Sequence, residues 1–249
     1  MISLKSEEEI GIMREAGQKL ARVMNKLRSE VKPGVKTKDL DILARKLIKE
    51  EDGKPNFLGY NNFPAAICTS INEVIVHGVP SDYQLKEGDI ISLDGGLEWK
   101  GFHSDMAITV PVGKISLETQ RLLRVTRKSL KLAIKKVRPG NRIGDIGNTI
   151  QRYVESQGFG IVRELCGHGI GRNLHEEPQV LNYGKRHKGE KLREGMVICI
   201  EPMVTMGNWR IIQGKDGFSY VTSDGSLSAH FEHMIAVTKE GSEVLTELK

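Results

Sequence analysis

The 249-residue sequence has few cysteines, few aromatic residues and no long apolar run. Its three cysteines, Cys68, Cys166 and Cys199, show no Cys-x-x-Cys spacing, which argues against a zinc knuckle or a disulfide framework and favours a reducing, cytoplasmic compartment. Because no run of about 18 apolar residues occurs, we expect no membrane span. The chain is acidic between Met1 and Glu9, where a targeting segment would be basic and then apolar, so no such segment is predicted.

Three common catalytic signatures are absent as well. The glycines of 167–171 lack the spacing and the strand-to-helix frame of a dinucleotide fingerprint. The segment 175–179 has glutamine where a zinc-protease helix carries its second histidine, and its proline would break that helix. A Gly-x-Ser-x-Gly elbow does not occur.

The charge is only mildly basic, with a formal net charge of +5. The densest basic stretch, 121–138, falls on one predicted amphipathic helix and could meet RNA electrostatically. Its basic residues lie on every side of that helix, which favours ordinary solvation.

Two stretches recur in the same order, which indicates an internal duplication. Val31-Lys32-Pro33-Gly34 returns 106 residues later as Val137-Arg138-Pro139-Gly140, and the run 85–94 returns 107 residues later as 192–201. Each run ends in a carboxylate, Asp94 in the first and Glu201 in the second. We therefore predict a single domain over 1–249, with repeat halves of about 1–113 and 114–249.

Each half is predicted to hold two helices followed by strands. Ser6 and Glu9 form a capping-box signature for the first helix, and Thr37 can cap the second. The third is predicted over 117–137, and the fourth stops near Gly158. Short β-branched runs predict strands at 90–93, 107–110, 197–200 and 234–237. Such halves commonly pack about a pseudo-twofold axis, so we predict an α+β fold with a curved sheet inside, helices outside and a central cleft.

Asp94 and Asp105 form the first candidate functional pair. The glycine-rich segment between them predicts a hairpin turning near Trp99-Lys100, a register that places the aspartates directly opposite each other, with Cβ atoms roughly 4.5–5.5 Å apart. Two carboxylates so close repel unless a cation lies between them or one is protonated. Alternatively, Asp94 opens a Gly-Gly turn while Asp105 is solvated.

The second half adds further candidates. Glu201 ends the run equivalent to that of Asp94, and Glu232 opens an apolar strand, where an unpaired charge is costly and a salt bridge is the alternative. His168 and His175 share one glycine-interrupted loop, although a lone histidine is more often structural. Four carboxylates and one imidazole suit two divalent ions such as manganese, iron or cobalt. Two such ions can share carboxylates and polarise a water, which points to hydrolysis.

Seven motifs together resemble the type I methionine aminopeptidases over essentially the whole chain. They are Ile75-Val76-His77-Gly78-Val79-Pro80, Ser92-Leu93-Asp94-Gly95-Gly96, His103-Ser104-Asp105, Cys166-Gly167-His168-Gly169-Ile170-Gly171, His175-Glu176-Glu177-Pro178, Ile200-Glu201-Pro202-Met203 and Phe231-Glu232-His233. The resemblance implies a pita-bread fold of two duplicated halves that form one catalytic domain.

The same resemblance implies a ligand set for two divalent ions per chain, with cobalt, manganese, iron and zinc as candidates. Asp94 would chelate one metal, and Asp105 and Glu232 would bridge both. His168 and Glu201 would complete the second site. Glu201 would also act as the general base.

The resemblance further implies how a substrate would be held. His175 would hydrogen-bond near the scissile carbonyl, and His77 near the leaving amide nitrogen. The methionine pocket would be lined by apolar and aromatic side chains, which here are Phe57, Tyr60, Phe63, Cys68, Leu174 and Phe218. The chain departs from the family at three of them, with Leu174 where phenylalanine is common, Phe57 where cysteine is frequent and Phe218 where tryptophan is common. Such changes bear on side-chain discrimination, which is worth about 1–3 kcal/mol per methylene, rather than on hydrolysis.

The implied substrate is a polypeptide with a free N-terminal methionine and a small second residue, met as a nascent chain at the ribosome surface. The implied form is a monomer without a membrane partner. Two other functions stay open, an aminopeptidase of the same fold that acts at X-Pro bonds and a non-catalytic binding protein. Chain length and the loop 167–178 disfavour the first, and the presence of all five ligands disfavours the second.

Overall fold

The computed structural model describes residues 2–248, so Met1 and Lys249, the two ends of the predicted domain, lie outside the described residues. Residues 2–248 form four α-helices, α1 (Glu7–Glu30), α2 (Thr37–Glu50), α3 (Leu117–Ile134) and α4 (Ile143–Ser156). The strands are β1 (Lys54–Pro55), β2 (Ile67–Ile71), β3 (Val74–Val76), β4 (Ile90–Trp99), β5 (Phe102–Pro111), β6 (Gly160–Ile161), β7 (Cys166–Gly169), β8 (Glu176–Leu181), β9 (Val197–Ile200), β10 (Met203–Thr205), β11 (Ile211–Gln213), β12 (Tyr220–Thr222), β13 (Ser228–His230), β14 (His233–Val237) and β15 (Ser242–Val244).

Each half builds an antiparallel sheet that is covered by its own two helices. In the first half, β4 pairs with β1, β2 and β5, and α1 and α2 bury an apolar face that includes Leu20 against Leu93 and its neighbours. In the second half the strand order is β15-β14-β9-β7-β8, and α3 and α4 pack through a core that includes Val125 and Ile198. The predicted α+β arrangement of helices over antiparallel strands is therefore confirmed.

The sequence repeat is also a structural repeat. The Gly34 N–H donates to the Leu85 carbonyl at 2.7 Å, and the Gly140 N–H donates to the Leu192 carbonyl at 3.1 Å. Both glycines are left-handed, with φ of +89° and +93°, a conformation that disfavours any side chain. In each half this turn ties the helical layer to the segment that leads into the central strand, β4 or β9.

The two predictions about helix N-caps have different outcomes. The capping box of α1 is confirmed, because Ser6 Oγ accepts from the Glu9 N–H at 3.2 Å and Glu9 Oε2 accepts from the Ser6 N–H at 3.0 Å. The prediction that Thr37 caps α2 is wrong. Lys36 holds that position without a side-chain cap, because the Thr37 hydroxyl donates to the Ser81 carbonyl and accepts from the Ser81 N–H.

Helix α3 ends at Ile134, three residues before the predicted limit of 137. Here the Lys136 and Val137 N–H groups bond to carbonyls three residues back, which tightens the last turn. The nearby Pro139 disfavours a helical conformation in the residue before it. No helix within residues 2–248 has the length and apolar character needed to cross a membrane.

The predicted register of the β4–β5 hairpin is wrong. Asp94 pairs with Ala107 and Asp105 pairs with Gly96, so the aspartates lie two positions apart along the hairpin rather than opposite each other. The reason is the turn, which uses Lys100-Gly101, both with positive φ, instead of Trp99-Lys100. Two-residue hairpin turns of this kind match the twist of the strands. Because side chains alternate between faces, the two aspartates still share one face of the sheet.

Helix α1 offers a test of the packing between the helix and the end of the chain. A Cβ on Gly17 would lie 2.3 Å from the Leu245 carbonyl oxygen, whereas a Cβ on Gly11 would meet only Arg14 at 3.9 Å. We expect Gly17→Ala to lower the free energy of unfolding by about 1–3 kcal/mol through overpacking. Gly11→Ala should raise it by roughly 0.5–1 kcal/mol through helix propensity. Urea unfolding of both variants measures this, and equal effects would contradict the close approach.

Candidate metal and active site

The five predicted metal ligands lie on the central strands or directly beside them, and Asp94 is inside β4 because that strand continues beyond the predicted run 90–93 to Trp99. Asp94 and Asp105 come from β4 and β5, and His168 lies in β7. The β9–β14 register pairs Ile200 with His233, so Glu201 and Glu232 occupy the next position beyond that pair. Asp94, Asp105, His168 and Glu232 are buried, and the Glu201 side chain is only 12% exposed.

Several of these oxygen atoms have no partner within residues 2–248. Asp94 Oδ1, Asp105 Oδ1 and Glu232 Oε1 are buried and accept no hydrogen bond. A buried polar atom without a partner costs about 1–3 kcal/mol, and more when it is charged. Three orphaned carboxylate oxygens at one place are therefore the donor set expected around a cation.

Burial raises the pKa of every carboxyl in this cluster. It raises the pKa of Asp94 to about 6, against a smaller opposing effect of a charged His230. The pKa of Asp105 lies well above its usual range because of burial and then because of Glu232 and Asp94. The pKa values of Glu201 and Glu232 are also well above the usual range, again first through burial and then through neighbouring carboxylates.

His168 is oriented as a metal ligand needs to be. Its Nδ1 bonds to the Gly169 carbonyl at 2.9 Å, so Nδ1 carries the proton and Nε2 keeps its lone pair. Nε2 lies 3.7 Å from Glu201 Oε1 and 3.8 Å from Asp105 Oδ2. Burial lowers the pKa of His168 to about 3, which favours the neutral imidazole.

One compact group of four ligand atoms contains a residue that sequence reasoning did not assign. One ligand atom each from Asp105, His168, Cys199 and Glu232 lies within 4.8 Å of the other three, and these four could hold a metal ion. Cys199 is fully buried in β9, two residues before Glu201. Burial and the surrounding carboxylates raise the pKa of its thiol well above the usual range, which favours a protonated thiol beside Glu232. Strand alternation around Glu201 was the signal that could have identified it.

His230 and Asn61 were also missed. His230 is 1% exposed, its Nε2 lies 3.6 Å from Glu201 Oε2, and neither ring nitrogen has a hydrogen-bond partner in the described chain. It stands two residues before Glu232, a spacing that could have indicated it. Asn61 lines the cavity on a turn with a φ of +47°. The sequence around Asn61 gives no indication of a site residue, because asparagine is common in turns.

All the predicted site residues line one cavity of about 160 Å³. Its acidic end holds the carboxylate cluster and His168. Its other end is apolar, where Phe63 and Phe218 meet edge to face at 5.6 Å between ring centroids. The remaining predicted wall residues are Phe57, Tyr60, Cys68 and Leu174.

Two further histidines line the same cavity. His175 Nδ1 is 2.7 Å from the Tyr60 hydroxyl, and its ring centroid is 4.3 Å from that of His168. His77 lines the same cavity, with its ring 6.0 Å from that of Tyr220. Burial lowers the pKa of both His77 and His175, so both favour the neutral form at neutral pH. The cavity thus joins an acidic cluster, neutral imidazoles and an apolar wall.

A model of metallopeptidase family M24 matches residues 11–239. The chain belongs to this family. Family M24 is a metallopeptidase family, which agrees with a buried cluster of Asp, His, Cys and Glu able to bind metal.

Relatives within family M24 resemble the chain from end to end. A methionine aminopeptidase of Clostridium perfringens is 47% identical over 249 residues, 100% of each chain. The crystal structure of methionine aminopeptidase from Rickettsia prowazekii superposes with a TM-score of 0.98 at 42% identity, covering 99% of this chain and 100% of that one. The predicted pita-bread fold is therefore confirmed. A prolidase from Pyrococcus furiosus, with a TM-score of 0.79 at 21% identity over 66% of its own chain, shares the fold alone.

The raised carboxyl pKa values predict that metal binding is linked to proton release. The metal-free cluster holds protons near pH 6, and ligating carboxylates must lose them. We expect Mn²⁺ to displace at least about one proton per chain at pH 6–7 and to bind more weakly as the pH falls. Calorimetric titration in two buffers of different ionisation enthalpy counts the protons.

A matched control for this titration is the exposed Asp82. Lys36 and Lys38 lower its pKa to about 2, so it is already ionised at pH 6. Asp82→Asn should leave the proton count unchanged, whereas Asp94→Asn should reduce it. Binding heats that are independent of the buffer would contradict the protonated cluster.

Proposed function

We propose that this chain is a two-metal methionine aminopeptidase, which hydrolyses the first peptide bond of polypeptides that carry a free N-terminal methionine and a small second residue. The observation that carries the proposal is the single cavity with an acidic end and an apolar end. The apolar end suits an unbranched thioether side chain. The acidic end suits a free α-amino group and the cations that activate a peptide bond.

The ligand set supports two divalent ions in this cavity. Asp94 would hold one ion, Asp105 and Glu232 would bridge both, and His168 with Glu201 would complete the second site. When bound, the ions supply Lewis-acid polarisation of the scissile carbonyl and lower the pKa of a water molecule. Oxygen donors with one imidazole suit manganese, iron, cobalt or zinc, among which availability also selects.

The remaining steps fall to side chains of the chain itself. Glu201 would act as general base, a role that its buried position beside His168 and His230 allows. His175 would donate a hydrogen bond to the scissile carbonyl. The Tyr60 hydroxyl contacts Nδ1 of His175, which leaves Nε2 for the substrate. His77 would bond near the leaving nitrogen.

We propose that the chain works as one catalytic domain over 1–249, with halves of about 1–113 and 114–249. Asp94 and Asp105 come from the first half, and His168, Glu201 and Glu232 come from the second. Neither half alone would hold the ligand set, so the closed cavity depends on their packing.

A cytoplasmic monomer fits this function best. The free thiols of Cys68 and Cys199 are buried, as expected in a reducing compartment. Three of the exposed large apolar side chains, Ile42, Leu117 and Ile212, belong to three different elements, α2, α3 and β11, and single exposed apolar residues are normal on monomers. Sedimentation equilibrium of the purified protein tests the monomer.

Activity on a model peptide tests the proposed chemistry. With added Mn²⁺ or Co²⁺ the protein should release methionine from Met-Ala-Ser, and a chelator should stop the reaction. Glu201→Gln should lower kcat by about 10²-fold or more through loss of the base. His77→Ala should lower kcat while the bound metal, measured by atomic emission, stays near the wild-type amount. Turnover without metal, or a fully active Asp105→Ala enzyme, would overturn the ligand assignment.

Substrate specificity distinguishes this proposal from the alternative of hydrolysis at X-Pro bonds. That alternative rests on likeness of fold alone. Met-, Leu- and X-Pro-initiated peptides compared in the same assay should rank by kcat/KM with methionine first. A preference for X-Pro would replace the proposed function, and binding of all peptides without cleavage would indicate a non-catalytic protein.

For contact with the ribosome surface we propose the exposed basic face of α3, formed by Arg124, Arg127, Lys128 and Lys131. Spacings of three and four residues align these cations along one exposed face, so the expectation that basic residues lie on every side of this helix is wrong, because its other side is buried. Within residues 2–248 none of them has an ion-pair partner within 4.0 Å. A row of unpaired cations suits the phosphates of ribosomal RNA.

Removal of this charge should weaken binding to ribosomes without affecting peptide cleavage. We expect glutamine at all four α3 positions to reduce co-sedimentation with ribosomes by about tenfold at low salt. The matched control removes four charges from an exposed loop: Lys185, Arg186, Lys188 and Lys191. Equal losses in both variants would indicate net charge, not the α3 face, as the cause.

A further inference from the structure

We propose that Lys5 is a positioning residue for His175 and Leu174, acting through Glu176, and this rests on the proposed function of that loop. Lys5 precedes α1 by two residues, yet its Nζ lies 2.7 Å from Glu176 Oε2, across 171 residues of sequence. The two side chains are 3% and 12% exposed. A lysine is almost never buried so fully unless it is paired.

The two oxygens of the Glu176 carboxylate bond to different partners. Oε2 bonds to Lys5, and Oε1 accepts the Asn173 N–H at 3.1 Å. The second bond closes the turn Asn173–Leu174–His175–Glu176, with Leu174 and His175 at its centre. The orientation of the carboxylate therefore sets the shape of this turn, and Lys5 holds that orientation.

Lys5 is itself hydrogen-bonded to the backbone that leads to Glu201. Its N–H donates to the Gly195 carbonyl at 2.8 Å, in the turn that leads into β9 and so to Glu201. Its Nζ also bonds to the Ser3 carbonyl at 3.3 Å. Lys5 thus links the base of the Glu201 strand to the loop that carries His175.

The backbone of the loop is packed directly against this ion pair. A Cβ on Gly171 would lie 2.5 Å from Lys5 Cε and 2.8 Å from Glu176 Oε1, so a larger residue there would displace the ion pair. The loop is fastened on its other side as well, since the His103 N–H donates to the Gly171 carbonyl at 2.8 Å. Loss of the Lys5 charge would free one side of a tightly packed loop.

The two residues inside the turn are those that face the cavity. Leu174 is 2% exposed and belongs to an apolar cluster against which Phe57 packs. The His175 ring accepts one side-chain hydrogen bond at Nδ1, from the Tyr60 hydroxyl at 2.7 Å, and packs against the His168 ring at 4.3 Å between centroids. Its backbone placement depends on the turn. A shift of about 1 Å in such a group can cost about 10²-fold in rate.

The same loop supplies a matched control. Arg172 Nη2 lies 3.0 Å from Glu9 Oε1, but the two side chains are 64% and 31% exposed. This pair also joins the start of α1 to the loop, and it differs in burial and in the stacking of Arg172 Cζ over the Phe102 ring at 4.4 Å. Exposed pairs contribute little, whereas removal of one partner from a buried pair leaves an uncompensated charge.

Kinetics of four variants test the proposal. Lys5→Met should lower kcat on Met-Ala-Ser by about tenfold or more, with KM within about threefold and with unchanged bound metal, since a contact formed in the transition state is lost. Lys5→Arg should recover most of kcat. Arg172→Gln should stay within about twofold of wild type. The double variant Lys5→Met/Glu176→Gln removes the unpaired charge, and it should fold as stably as wild type yet keep the low kcat. A double variant with wild-type kcat would overturn the proposal.

Hydrogen exchange separates this proposal from the proposed function. In Lys5→Met the Asn173 amide should exchange about tenfold faster, because its acceptor loses its anchor, while amides of α3 keep their rates. This result would support the positioning role even if the wild-type protein fails to cleave methionyl peptides. Unchanged exchange at Asn173 would overturn it whatever the activity.

Discussion

The constraint on which the site depends is the burial of four carboxylates within one cavity. Asp94, Asp105, Glu201 and Glu232 repel one another, and three of them carry a buried oxygen without a hydrogen-bond partner in the described chain. A hydrophobic core would exclude such groups, since an unpaired buried charge costs several kcal/mol. The fold retains them, and cations are the partners that can balance this charge. The architecture around the cavity is what holds these groups together.

Duplication explains how one chain can meet that constraint. Each half carries a carboxylate on or beside its central strand, Asp94 within β4 and Glu201 directly after β9, and matching left-handed turns at Gly34 and Gly140 tie each helical layer to the segment before that strand. The two sheets meet where the Glu232 N–H donates to the Ala107 carbonyl at 2.9 Å, beside the ligands themselves. The contact between the halves therefore lies at the candidate metal site. A rigid contact at this position also keeps the ligands in place.

Local pattern and repeat were enough to predict much of this. They predicted the cap of α1, four strands that overlap the principal strands, and the candidate residues Asp94, Asp105, His168, His175, Glu201 and Glu232. The other cavity residues, except Asn61, were implied only by the resemblance to the type I methionine aminopeptidases. Local pattern and repeat failed where the outcome depends on backbone geometry. The turn at Lys100-Gly101 shifted Asp105 by two positions because a lysine adopted a left-handed conformation, which its residue type does not indicate. The contact of Lys5 with Glu176 joins residues 171 positions apart, and no periodicity reports such a pair.

The apolar end of the cavity shows how departures from a family pattern can offset one another. Phe57 is larger than the cysteine frequent at that position, and Leu174 is smaller than the phenylalanine common there. Phe57 packs against the cluster that contains Leu174 and also against the cluster of Phe63 and Cys68, so it joins the two walls of the proposed pocket. Volume gained at one position lies beside volume lost at the other. Because packed sites tolerate exchanges that conserve total volume far better than single changes in size, we interpret the departures at 57 and 174 as one exchange within a shared wall, separate from the smaller ring at Phe218. The site would then keep room for a single unbranched side chain while changing which residues enclose it.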